Sequence, residues 1–169
     1  MPYQIDFDTN NRILRARFLG RVTDDELRDV YRFGQEHVAR FDPLSGITDF
    51  SNVTAVAFSP QTMRDLARTK PIMPDPSRPV IFIAPTPDLF GMGRMFELQG
   101  ADTRPNLRVV RTADEAYAIL NVRDPQFAPV DYFLYPAWAC TILHVSFSLR
   151  NVPTCHARGF PRGRFTRSC

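Results

Sequence analysis

The sequence predicts an α/β fold in which an opening β-hairpin is followed by alternating helices and strands, giving a mixed, mainly parallel sheet of about five strands flanked by helices. Three observations carry that prediction. Two segments of strand period meet at a turn near the N-terminus. Helix-period segments, each preceded by Ser or Thr, then alternate with short apolar runs. One of those runs, VIFIAP, is apolar throughout, as a strand covered on both faces is. Strands alternating with helices in this way imply parallel pairing through crossovers.

The elements follow in order. YQIDFD alternates apolar and polar residues, Thr9, Asn10 and Asn11 supply turn chemistry, and RILRARFLGRV resumes the alternation. In TDDELRDVYRFGQEHVAR, Thr23 and Glu26 form a T-x-x-E capping box and acidic residues crowd the positive end of the helix dipole. Leu27, Val30, Tyr31, Gly34, Val38 and Phe41 make one apolar stripe along it. ITDFSNV reads as a short buried strand. A second helix over 59–69 turns Met63, Leu66 and Ala67 inward. The prolines of KPIMPDPSRP predict a loop, because each removes a donor and restricts the residue before it. Thr86 and Pro87 open a third helix through LFGMGRMFELQG. LRVVRT is a further strand, and Thr112 with Glu115 repeats the capping box before TADEAYAIL, whose Ala116, Ile119 and Leu120 are expected to face inward.

The chain has 169 residues, of which 44% are hydrophobic, enough for one domain with a substantial core. Its net charge of +3 is unevenly placed: residues 1–130 carry 16 basic and 17 acidic side chains, residues 131–169 carry 5 and 1. Cys140, Cys155, Cys169 and the single tryptophan, Trp138, also fall in the tail. The sequence therefore divides into a domain over 1–127 and a basic, cysteine-containing tail over 128–169 that is expected to be poorly ordered. No disulfide framework is available to the body, and MPYQIDFDTN has no basic start followed by an apolar run, so a cytoplasmic protein is expected.

RILRARFLGRVTDDEL, ITDFSNVTAVAFSPQTMRDLA and LRVVRTADEAYAIL, in that order over about residues 3 to 122, resemble a STAS-type domain. This is the fold of bacterial anti-sigma factor antagonists, and the closer resemblance is to the divergent SpoIIAA-like branch. The resemblance implies a regulatory module that binds a protein partner, with a phosphoacceptor serine in an Asp-Ser-(Ser or Thr)-Gly signature at the start of its second helix. Phe58, Ser59, Pro60 and Gln61 stand at those four positions, so the serine alone matches.

Ser59 thus has two readings. A phosphate there would meet free backbone N–H groups and the positive end of the helix dipole. Alternatively, the hydroxyl caps the helix and Pro60 takes the first helical position, a combination worth about 1 kcal/mol. The cap is the favoured reading. Around Ser59, the side chains of Phe58, Gln61, Thr62 and Arg64 are the candidates for touching a partner.

Nothing else suggests chemistry. His37 is the single histidine of the body and lies at the edge of the first helix's stripe, where a packing or solvated role outweighs that of a base. Without a second histidine or a cysteine in the body, neither a triad nor a zinc site is expected there. Asp24, Asp25 and Glu26 fit dipole stabilisation better than a metal cluster. The GMG of Gly91 to Gly93 lies inside a helix, so close packing is expected of it rather than phosphate binding. Arg94, Arg104, Arg108 and Arg111 are interleaved with acidic residues and read as a mixed surface. No enzyme activity, cofactor or metal is expected.

In the tail, Tyr132 to Leu149 has no charged side chain, which raises a membrane anchor, yet LHVSFSL alternates like a strand. Cys155 beside His156 matches no zinc spacing, and the arginines of CHARGFPRGRFTRSC could form a phosphate-attracting arm. The abrupt compositional change reads first as an extension without a selected role, then as an arm, then as an anchor. The leading functional expectation is a non-enzymatic interaction module of bacterial signalling. The alternatives are a carrier of a small apolar ligand or lipid, and association with nucleic acid through the tail.

Overall fold

A computed structural model describes residues 3–130. Residues 131–169, and with them the expectations for the three cysteines, Trp138 and the Tyr132 to Leu149 segment, lie outside the described residues. The elements are β1 (Tyr3–Asp8), β2 (Ile13–Thr23), α1 (Asp24–Phe41), β3 (Ser45–Ala57), α2 (Pro60–Arg68), β4 (Val80–Ile83), α3 (Pro87–Gln99), β5 (Leu107–Val110), α4 (Ala113–Leu120) and β6 (Phe127–Pro129). This is the predicted hairpin and alternation. The sheet runs β5-β4-β3-β2-β1-β6. β2 to β5 are mutually parallel, while β1 is antiparallel to both β2 and β6.

Two faces bury two cores. On one, Leu27 and Val30 of α1, Met63 and Ala67 of α2, and Leu89 and Phe96 of α3 pack with Phe18, Phe50 and Phe82 of the sheet. Phe18 and Phe50 stack with ring centroids 5.0 Å apart. On the other, α4 sets Ala116 against Ile13, Ile47, Ile81, Ile83 and Val110. β4 is apolar on both sides because both its faces are covered. Gly93 does provide close packing: a Cβ there would stand 2.9 Å from Val109, so its absence lets α3 lie on β5. In α4, Ala116 is buried as expected, but Ile119 is half exposed, because the short helix turns only one narrow stripe to the sheet.

The sequence reading is corrected in two places. β3 continues to Ala57 instead of ending after ITDFSNV, because the far half of β2 goes on pairing with it, from Leu19↔Asn52 to Thr23↔Ala57. Those last residues are mostly exposed, so no burial pattern marks them as strand. A sixth strand, β6, joins β1 through Phe7↔Ala128. It is three residues long and ends in proline, too short for a period to be read.

Candidate functional site

The start of α2 is assembled from two distant segments. β3 and β2 run together to Ala57 and Thr23, so their ends release α2 and α1 side by side. Phe58 turns inward, 6% exposed, with its ring 6.3 Å from that of Phe50. Ser59 then adopts extended angles, Pro60 opens the helix, and the Ser59 hydroxyl accepts the Thr62 N–H at 3.1 Å. The N-cap reading of Ser59 is realised in this geometry.

Asp24, the first residue of α1, completes the site. Its Oδ1 accepts the backbone N–H of Ser59 at 2.7 Å and lies 3.3 Å from the Ser59 hydroxyl. The hydrogen bond from the Ser59 N–H, joined by one from the Thr62 hydroxyl, holds the Asp24 carboxyl below its ordinary range. Arg28 closes the group by donating to Thr62 Oγ1 at 2.8 Å. A carboxylate therefore already sits on the positive end of α2, where an added phosphate would go. A phosphate on Ser59 would be placed against Asp24 and would compete for the same N–H.

The five sequence candidates separate by exposure. Phe58 and Thr62 are buried, so their side chains hold the core and the cap rather than meet solvent. Gln61 is exposed and donates to Asp65 at 2.7 Å, while Arg64, half-buried, donates to Gln61 Oε1 at 2.9 Å. Ser59 is half-buried between them. Beside them an open groove runs between Pro60 at the head of α2 and Pro87, Asp88, Gly91, Met92 and Met95 of α3. Leu98, one turn beyond Met95, is 70% exposed.

Two features escaped sequence reasoning. From sequence Asp24 reads as serving its own helix dipole, and no local spacing could reveal its bond to a residue 35 positions away. Arg104, expected on a mixed surface, is instead buried and caps the far end of α2. It donates to the carbonyls of Ala67 at 2.6 Å, Thr69 at 2.7 Å and Leu66 at 3.2 Å, and to the hydroxyl of Tyr31. The negative end of the helix supplies what an acidic partner otherwise would. Burial raises the Tyr31 hydroxyl above its ordinary pKa, against the opposing effect of Arg104. The other sequence candidates stay apart from this site: His37 lies edge-on to the Phe33 ring, centroids 4.5 Å apart, and Glu26 accepts the Thr23 N–H at 2.7 Å as its capping box requires.

Beneath α1 and α2 lies an apolar cavity of about 120 Å³, bounded by the sheet and by the loop over 71–78. Met63 lines it, and α3 contributes Phe96. Among the described residues no group of acidic, histidine or cysteine side chains could hold a metal ion, and no helix is long and apolar enough to cross a membrane.

No family model and no curated protein matches the chain. Among solved structures it is similar to the Bacillus cell fate determinant SpoIIAA in its phosphorylated form, at 15% identity over 70% of this chain and 98% of that one, with a TM-score of 0.46.

Proposed function

We propose that this chain is a non-enzymatic interaction module of bacterial signalling that binds a regulatory protein at the surface formed by the start of α2 and the adjoining face of α3. The observation that carries the reading is the open groove lined by Pro60, Met92 and Met95, flanked by exposed Gln61 and Leu98. Flexible methionine side chains adapt to a partner's shape, and polar groups at the margin set its orientation. Gln61 and Arg64 are the direct contacts. Phe58, Thr62 and Ser59 act one step back by fixing where α2 begins.

Lipid carriage is disfavoured by size. Ligand sites for molecules of that class run to roughly 300–1,000 Å³, well above the cavity beneath α1. The test of the interaction reading is affinity capture with three immobilised forms of the chain: unaltered, Arg64→Glu with Met92→Glu, and Ile119→Glu on α4. A protein retained by the first and third and lost from the second, with equal melting temperatures, is the expected result. Equal retention by all three contradicts the proposed surface.

A further inference from the structure

We propose that the cavity beneath α1 is a binding site for a compact, uncharged, apolar molecule of about the size of a single aromatic ring. The inference stands apart from the protein-binding surface, since the cavity lies in the other direction from α2, toward the sheet. Native cores leave few voids larger than a water molecule. This space of about 120 Å³, partly open to solvent, is well beyond that, and its inner lining is aromatic and aliphatic: Phe18, Val30, Phe50, Met63, Phe82 and Phe96.

Volume and polarity together define the ligand class. An engineered apolar cavity of about 150 Å³ stays dry and takes benzene or xenon, so this one has room for one ring and no more. The charged groups at its margin are already engaged. Arg104 is committed to the end of α2, Arg78 donates to Asp42 at 2.7 Å and to the Pro43 carbonyl at 2.6 Å, and Asp75 accepts the Ser77 N–H at 2.9 Å. None is spare to neutralise a charged ligand, and burying one unpaired is costly.

The proline-punctuated loop supplies the entrance. Pro71, Ile72, Met73 and Pro76 line the cavity from the loop, and Ile72 rests on Gly34 of α1 so closely that a Cβ at position 34 would be 2.8 Å from it. The space is partly open to solvent, and these loop side chains form part of its rim.

Methionine methyl groups report the site directly, because Met63 and Met73 line the cavity while Met92 and Met95 line the outer groove. In the full chain labelled with ¹³C-methyl methionine, titration with benzene is expected to shift the Met63 and Met73 signals saturably and raise the melting temperature. Naphthalene, too large, and benzoate, charged, are expected to leave both unchanged. Ala16→Leu, which fills the cavity from β2, is expected to abolish the benzene shifts. The wild-type titrations decide the matter even where that variant folds poorly. Shifts confined to Met92 and Met95, no saturable shift, or binding of benzoate as strong as that of benzene would overturn the proposal, and none of these bears on partner capture at α2.

Discussion

The carboxylate of Asp24 accepts the backbone N–H of Ser59 at 2.7 Å, so the first residue of α1 fastens the first turn of α2. Two helix starts are thereby held as one unit at the end of the β2–β3 pair. The proposed docking surface is built on that unit, and its stability can be probed from either side.

Ser59→Ala removes the hydroxyl that caps Thr62 and is expected to cost about 1 kcal/mol in urea unfolding. Ser59→Asp is expected to cost more. Aspartate is a good N-cap by itself, but here it stands beside Asp24, and like charges at contact repel. Putting Asp24→Asn in the same chain should restore part of the loss. A Ser59→Asp chain as stable as the unaltered one would show that the two side chains do not share the site.

Acid should weaken both ends of the sheet, at Asp24 beside the start of α2 and at Asp8 beside the start of β2. Burial alone would raise the carboxyl of Asp8, yet hydrogen bonds from Asn11, Gln126 and Asn10 outweigh it and hold Asp8 below its ordinary value, as the Ser59 N–H does Asp24. A carboxyl depressed in the folded state stabilises the protein fully above its unfolded pKa, about 4, and that stability is lost as pH falls through the lower folded value. Unfolding free energy should therefore decline below about pH 4, and less steeply in Asp8→Asn or Asp24→Asn. Equal slopes in all three chains would contradict these assignments.

Arg104→Ala removes one donor from each of three carbonyls at the end of α2, of which that of Leu66 keeps the Thr69 N–H at 3.2 Å, and is expected to cost about 2 to 4 kcal/mol. Arg104→Lys should recover only part of this, because an ammonium cannot span the same fork of acceptors. Denaturant midpoints of the two variants provide the comparison, and full recovery by lysine would argue against the multidentate cap.

Two glycines of α3 should respond with opposite sign. A Cβ at Gly91 meets nothing within 4 Å, so Gly91→Ala should stabilise by about 0.5 to 1 kcal/mol through helix propensity. At Gly93 the same atom would stand 2.9 Å from Val109, so Gly93→Ala should destabilise by about 1 to 3 kcal/mol through overpacking. Thermal unfolding of the pair checks the seating of α3 on β5.

What the sequence made legible was local chemistry. The caps at Thr23, Ser59, Thr86 and Thr112 were readable because each is settled within four residues, and the stripe Leu27, Val30, Gly34, Val38 because helical period is a local property. The links that build the site are not local. Asp24 meets Ser59 only because β2 and β3 pair as far as Thr23↔Ala57, and Arg104 reaches α2 only after β4 and β5 come together. β6 was hidden by its three residues, although Asp8 helps to anchor it by accepting the Gln126 N–H at 2.9 Å. The cavity is a property of how α1 is held above the sheet, which no residue pattern records.

The central claim is that a protein docks where α2 begins. A photo-crosslinking amino acid placed at position 61, and separately at position 119 on the opposite face, tests it most directly. The account predicts one protein adduct formed from position 61 in the unaltered background, absent from position 119 and lost when Met92→Glu is added. Adducts of equal yield from both positions, or an adduct at 61 indifferent to Met92, would contradict it.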